Sequence, residues 1–160
     1  MKTFLVALLC FLVPTVAFAS DNNTSYKVVY DGGSLPGVKA GTTVRLFVEP
    51  TQLRITSDGK EAKDLVVISA SSITEVSYGQ DVHRRIGTAI GLAVISLGIG
   101  ALMMFSKSKK HFVGTTWADG DKKGGLAMQC DKNEYRGILA AMEGISGKKA
   151  VNSDAMTVKN

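Results

Sequence analysis

Several residue types are scarce in this sequence, and each shortage closes a class of protein. Three prolines in 160 residues exclude a polyproline linker, and no collagen-like repeat is present. Two cysteines cannot build a disulfide scaffold or a four-cysteine zinc site. Two histidines leave little room for a histidine-rich metal centre. The chemistry of common active sites is also missing. There is no G-x-S-x-G elbow for a hydrolase nucleophile. Gly147-Lys148 follows a helix instead of preceding one, and Met142 stands where a phosphate loop needs its first glycine. Asp119 and Asp121 flank a glycine, but no glutamate closes a calcium loop. The sequence therefore predicts no enzyme, no cofactor and no resident metal. What remains is ordinary globular material, 45% hydrophobic and 21% charged. Its length suits one domain, or two small ones.

Two apolar runs stand out. The first opens the chain: Met1-Lys2-Thr3, an apolar stretch to Phe18, and Ala17-Phe18-Ala19 as an A-x-A site. That is the layout of a signal peptide occupying residues 1–19. Its removal also removes Cys10. Cys130 is then the one remaining thiol, and its neighbour Met128 in an apolar strand pattern predicts burial. The second run, residues 86–105, holds 20 residues without a charge, IGTAIGLAVISLGIGALMMF. That length can cross a hydrocarbon core as one helix. The membrane-inserting residues expected here are Ile86, Ile90, Leu92, Val94, Ile95, Leu97, Ile99, Leu102, Met103 and Phe105. Arg84 and Arg85 before the run, with Lys107, Lys109 and Lys110 after it, are expected to face lipid headgroups. These cations match the whole formal net charge of +5. The basic balance is thus a membrane-flank feature, and no spread basic face with interleaved aromatics points to nucleic acid. Gly87, Gly91 and Gly98 share small-residue spacing that permits close helix packing, through which a second copy of the chain could dock.

Outside these runs the periodicity is mostly two. Tyr26, Val28 and Tyr30 alternate before Asp31-Gly32-Gly33 interrupts them. Val44, Leu46 and Val48 form a second strand, stopped by Pro50, and Leu53 and Ile55 a third. Asp58-Gly59 signals a hairpin turn. Residues 65–68 and 73–78 give strands four and five, and 111–118 and 125–130 give six and seven. The period then changes. Tyr135, Ile138, Leu139, Met142 and Ile145 share one helical face. Asp131 with Glu134 has capping-box spacing, and Gly147 suits a left-handed C-cap. Residues 150–160 lack periodicity and read as a loose tail.

Seven strands, one capping helix and an apolar helical insertion between strands five and six resemble a pleckstrin-homology-like half-barrel. The likeness extends to local stretches: the first strand running into Gly32-Gly33, Leu53 to Thr56 before a hairpin, Tyr78-Gly79-Gln80, Lys109-Lys110-His111-Phe112-Val113, and Ser146-Gly147-Lys148-Lys149. Together they resemble uncharacterised exported bacterial proteins whose pleckstrin-homology-like domain, here residues 26–149, is interrupted by a hydrophobic segment. The signal peptide, the uncharged 20-residue run and its paired basic flanks lead to the expectation of a non-enzymatic protein exported across the inner membrane and held at a membrane in the cell envelope, with the barrel as an interaction module. Its expected partners are membrane lipid and another protein. A carrier of lipid or another small apolar ligand, and a membrane subunit of a larger envelope complex, are the alternatives.

The insertion poses a topological question. It can be a hairpin that returns to its own side, a single span, or a helix docked on protein. A single span would put strands five and six on opposite sides of the bilayer, leaving strand five as an unpaired edge. His83 and His111 bracket the run and would approach each other in a hairpin, with Asp81 nearby, though basic interfacial residues explain them better than a metal site does. Trp117 and Tyr78 are expected in the core.

Overall fold

The computed structural model describes residues 25–90 and 110–156. Strands β1 (Ser25–Gly33), β2 (Thr43–Glu49), β3 (Gln52–Ser57) and β4 (Asp64–Ser69) follow in meander order. A single 3-10 turn, Ala70–Ser72, leads into β5 (Ile73–Tyr78). Helix α1 (Val82–Ile90) comes next, followed by β6 (His111–Asp119), β7 (Lys122–Cys130), helix α2 (Tyr135–Ser146) and a two-residue strand β8 (Val151–Asn152). The class is mainly β: one open sheet of eight strands, in the order β4-β3-β2-β1-β7-β6-β5-β8.

The alternating strands explain the sheet. Val44, Leu46, Val48, Leu53 and Ile55 point to one face and are buried, while Arg45, Phe47 and Arg54 point to the other. Val28 and Tyr30 of β1, Ile68 of β4, Ile73 and Val76 of β5, Val113 of β6 and Leu126 and Met128 of β7 join the same buried cluster. Residues from seven strands share one core because the sheet curls around it. Ile138 and Met142 of α2 complete that core, with Leu139 and Ile145 packed at its margin. The fully buried side chains are nearly all aliphatic, and each contributes about 1.5–3 kcal/mol by leaving water.

The seam of the sheet lies between β1 and β7, where Val29 pairs with Gln129 and Tyr30 with Met128. Here the register slips at Asp31, a bulge that lets Tyr30 enter the core while Asp31 emerges on the opposite face. Gly33 has φ 133° and lies hard against the β7 backbone. A Cβ on it would sit 2.2 Å from the Gly125 carbonyl oxygen.

Three sequence expectations change. The helix begins at Tyr135, after a turn in which the Asp131 carboxylate accepts the Asn133 amide at 2.8 Å, so Asp131 shapes the turn instead of capping the helix. Gly147 does close α2 in the left-handed region. Residues 150–156, read as part of a loose tail, are ordered by pairing: β8 runs parallel to β5, with Ser77 opposite Val151 and Tyr78 opposite Asn152. The third change concerns the second apolar run. Its first residues belong to α1, an amphipathic helix that starts at Val82 and lies on the sheet.

Candidate functional site

The outer face of the sheet, opposite the core, differs along its length. Over β6, β7 and the Asp31 end of β1 it is covered by α1, and several unusual polar groups converge there.

The seat of α1 begins with a small residue. Gly114 of β6 lies beneath the helix, and a Cβ at that position would stand 2.4 Å from Val82 Cγ1 and 2.7 Å from Ile86 Cδ1. The missing side chain lets Val82 and Ile86 reach Phe112 and Ala127, and the four make a second buried cluster. The alternation of β6 and β7 produces this directly. Val113 and Met128 face the main core, and their neighbours Phe112 and Ala127 face α1.

Three carboxylates border the seat. Glu75 of β5 takes the Arg85 guanidinium in a two-point grip: Nη2 donates to Oε2 at 2.7 Å and Nε donates to Oε1. Arg85 stays protonated more firmly than usual, chiefly because of that hydrogen bond. Asp31, pushed outward by the β1 bulge, meets His83. Their Nε2 and Oδ2 atoms are 2.6 Å apart, and both side chains are nearly enclosed. The ring nitrogen and the carboxylate lack the alignment of a hydrogen bond, and His83 Nδ1 has no partner among the described residues. The His83 ring meets Phe112 edge-on, with centroids 5.3 Å apart. The contact is therefore a close approach of two polar side chains inside an apolar patch, where buried polar atoms without aligned hydrogen bonds are costly.

The third carboxylate comes from the other end of the chain. Asp154 Oδ1 accepts the backbone N–H groups of Gln80 at 2.6 Å and Asp81 at 3.1 Å. These amides belong to the turn that opens α1, and a carboxylate there also suits the positive end of the helix. Ser153, itself buried, donates both its amide and its hydroxyl to the Tyr78 carbonyl oxygen. Gly79 fits against this pair with φ 121°, where a Cβ would lie 2.6 Å from Asp154 Oδ1. Gln80 extends its side-chain amide to the Lys110 carbonyl oxygen. The departure of the chain toward α1 and its return at Lys110 are thus tied together.

Against this geometry the expected site residues divide. Ile86, expected to insert into lipid, is 1% exposed and covered by the sheet. Its place at an i, i+4 interval from Val82 turns it inward. Arg85, expected at headgroups, is engaged by Glu75. In this structure the sheet takes up both side chains. Arg84 is exposed and Lys110 is partly so. Gly87 lies in α1 and Ile90 ends it. Gly91, Leu92, Val94, Ile95, Leu97, Gly98, Ile99, Leu102, Met103, Phe105, Lys107 and Lys109 lie outside the described residues, as does the segment read as a signal peptide. Among the described residues, no helix is long and apolar enough to cross a membrane.

His83 and His111 do not share a site. His83 turns to Asp31, and His111 stacks on Tyr135 at 4.2 Å. No group of metal-ligating side chains occurs among the described residues. Trp117 packs at the margin of the main core and covers Gly124 across the strand pair. Cys130 is buried, and burial pushes its thiol up to about 12.

Sequence reasoning missed Asp31, Glu75, Asp154 and Gly114. Asp31 looks like a turn residue because Gly-Gly follows it. Glu75 and Gly114 look like ordinary strand positions. Asp154 acts across 73 positions of sequence, which no local pattern reveals. A scan against protein-family models finds no match, and a search of the curated proteins finds none either.

Proposed function

We propose that this chain is an exported, non-enzymatic protein held at a membrane surface of the cell envelope, with its sheet body serving as an interaction module. In this reading the body is a pleckstrin-homology-like half-barrel: strands β1 to β7 curl around one core, and α2 fills the open side.

The observation that carries the reading is the pairing of β5 with β6. Tyr78 is opposite Val113, and the Gly79 amide donates to the Phe112 carbonyl. A chain that leaves after Tyr78 and returns before Val113 must come back to the side it left. One crossing, or any odd number, would pull these hydrogen-bonded neighbours apart. Length argues the same way. Because α1 uses the start of the apolar run, about 15 uncharged residues remain, short of the roughly 20 that one span requires. The reading is therefore a tether that enters and leaves on one side, with Leu92, Val94, Ile95, Leu97, Ile99, Leu102, Met103 and Phe105 as its apolar content and Arg84, Lys107, Lys109 and Lys110 beside headgroups. The interaction module would meet a protein partner away from the tether.

Cell fractionation tests this. The full chain is expected in the membrane fraction, and a variant with residues 91–105 replaced by a short Gly-Ser loop in the soluble fraction, still folded. Single cysteines at Lys60 and Asp121, both exposed, in a Cys130→Ser background should label from the same side of the membrane. A fully soluble parent chain would overturn the tether, and labelling from opposite sides would overturn the one-sided return.

A further inference from the structure

The ring of carboxylates under α1 has a charge logic that packing alone does not need. The helix carries His83, Arg84 and Arg85 in succession. The body offers Asp31 from β1, Glu75 from β5 and, at the first turn, Asp154 from the tail. Val82 and Ile86 face the sheet between the Arg85 contact with Glu75 and the His83 contact with Asp31. A helix with an apolar face and adjacent cations has the composition of an interfacial membrane helix, and carboxylates here occupy the role that anionic headgroups would take.

We propose that α1 is a stowed interfacial helix whose carboxylate seat stands in for an anionic lipid surface, and that residues 151–154 are the strap that keeps it stowed. The inference rests on the membrane reading above and assigns its lipid class. Seated, α1 has its first turn fixed by Asp154, Arg85 held by Glu75 and His83 against Asp31. At an anionic bilayer the lipid headgroups compete for Arg84 and Arg85, and the acyl boundary competes with Phe112 and Ala127 for Val82 and Ile86. The strap suits such an exchange because its strand is only two residues long and sits at the edge of the sheet. Its grip is polar, made by Ser153 on the Tyr78 carbonyl and Asp154 on two amides. The groups facing the helix are therefore Asp31, Glu75 and Asp154 from the body, and Asp81, Arg84 and Arg85 on or beside α1 itself.

The test uses the purified full-length chain with two kinds of vesicle, phosphatidylcholine alone and phosphatidylcholine with phosphatidylglycerol at 7:3. Flotation measures binding and hydrogen exchange measures the seat. Anionic vesicles are expected to remove protection from amides 151–154 and from the Gln80 and Asp81 amides that Asp154 holds, while β2 to β4 keep theirs. Glu75→Gln removes the carboxylate that grips Arg85 and is expected to bind anionic vesicles about fivefold more tightly, the value of one basic side chain at such a surface. Glu61→Gln makes the same charge change at an exposed turn far from α1 and controls for net charge. Asp154→Ala loosens the strap without touching Arg85, and it too should bind more tightly than the parent. If Glu75→Gln and Asp154→Ala bind no better than Glu61→Gln, or if amides 80, 81 and 151–154 stay protected on vesicles to which the chain is bound, the inference fails while the tether stands. If the chain binds neither vesicle, both readings fail.

Discussion

The two halves of the outer sheet face are built from the same alternating strands and solve opposite problems. Over β2 to β4 and the first part of β1 the face stays wet. Arg54 lies 4.3 Å above the Phe47 ring and pairs with Glu49 at 2.8 Å, while Lys27 and Arg45 both reach Asp58. Over β6, β7 and the end of β1 the face is dry, covered by α1, with its ionic contacts at the margin. Exposed pairs such as those on the wet half contribute little, because water screens them and long side chains lose freedom. Covered aliphatic side chains contribute more, and they require a small residue where the helix comes close. The wet half thus tolerates change, and the dry half concentrates both stability and whatever switching the molecule performs.

The largest expected effect is at the seam that joins the halves. Gly33→Ala meets the Gly125 carbonyl and the Leu126 Cα, both backbone atoms that cannot yield, at a φ that side chains rarely adopt. A loss on the order of 3 kcal/mol or more is expected, read as the midpoint shift in urea. Because one core crosses the seam, both halves should unfold together. Two separate transitions would show that they are independent units.

Next in size is a pair of truncations that sets one face against the other. Ile86→Ala should cost about 2–4 kcal/mol, as a buried aliphatic truncation that leaves a cavity between Val82 and Phe112. Phe47→Ala on the wet face removes only a partly exposed ring and its contact with Arg54, and about 1 kcal/mol is expected. Chemical denaturation of both variants gives the ratio, and equal losses would erase the contrast.

The thiol probes the shared core. Cys130 should resist a maleimide at pH 8 in the folded chain and react at once in denaturant, since a protonated, buried thiol is no nucleophile. Its folded pKa lies above the unfolded value, so the folded state keeps a proton that the unfolded state releases. Stability from this group is full below the unfolded value of about 8.5 and falls as the pH rises toward 12. The difference in stability between the parent and Cys130→Ala should therefore shrink between pH 8.5 and pH 11. Ready labelling of the folded chain would mean that the core opens there.

Much of this architecture was legible in residues with local signatures. The alternation of Val44, Leu46 and Val48, the Asp58-Gly59 turn, the Tyr135 to Ile145 stripe and the Gly147 cap all rest on neighbours a few positions apart, and the mainly β class follows from them. The burial of Cys130 was legible for the same reason. The seat of α1 was not. Ile86 is apolar whether it meets lipid or Phe112, and hydropathy cannot distinguish the two. Arg85 is basic whether it meets a headgroup or Glu75. The tail shows no period because its order comes from polar bonds to Tyr78, Gln80 and Asp81, not from an apolar stripe. Charge and hydropathy report what a side chain avoids, and only the fold reports what it finds instead.

The smallest effect sharpens the comparison from the wet side. Lys27 and then Arg45 hold the Asp58 carboxyl below the usual range, and Gln52 and then Arg54 do the same for Glu49. A carboxylate whose folded pKa is depressed stabilises the fold at every pH above its unfolded value, and that share is lost as the pH falls through the folded one. The window therefore opens below about pH 4, where ordinary Asp and Glu side chains begin to take protons. Thermal midpoints from pH 6 to pH 2 should fall for the parent chain, and more gently for an Asp58→Asn, Glu49→Gln double variant, with the two curves meeting at the acid end. Added salt should narrow the gap at pH 6, because both groups sit where ions can reach them. A double variant that loses as much at pH 6 as Ile86→Ala would make the wet face as important to the fold as the dry one, and the contrast between the halves would have to be abandoned.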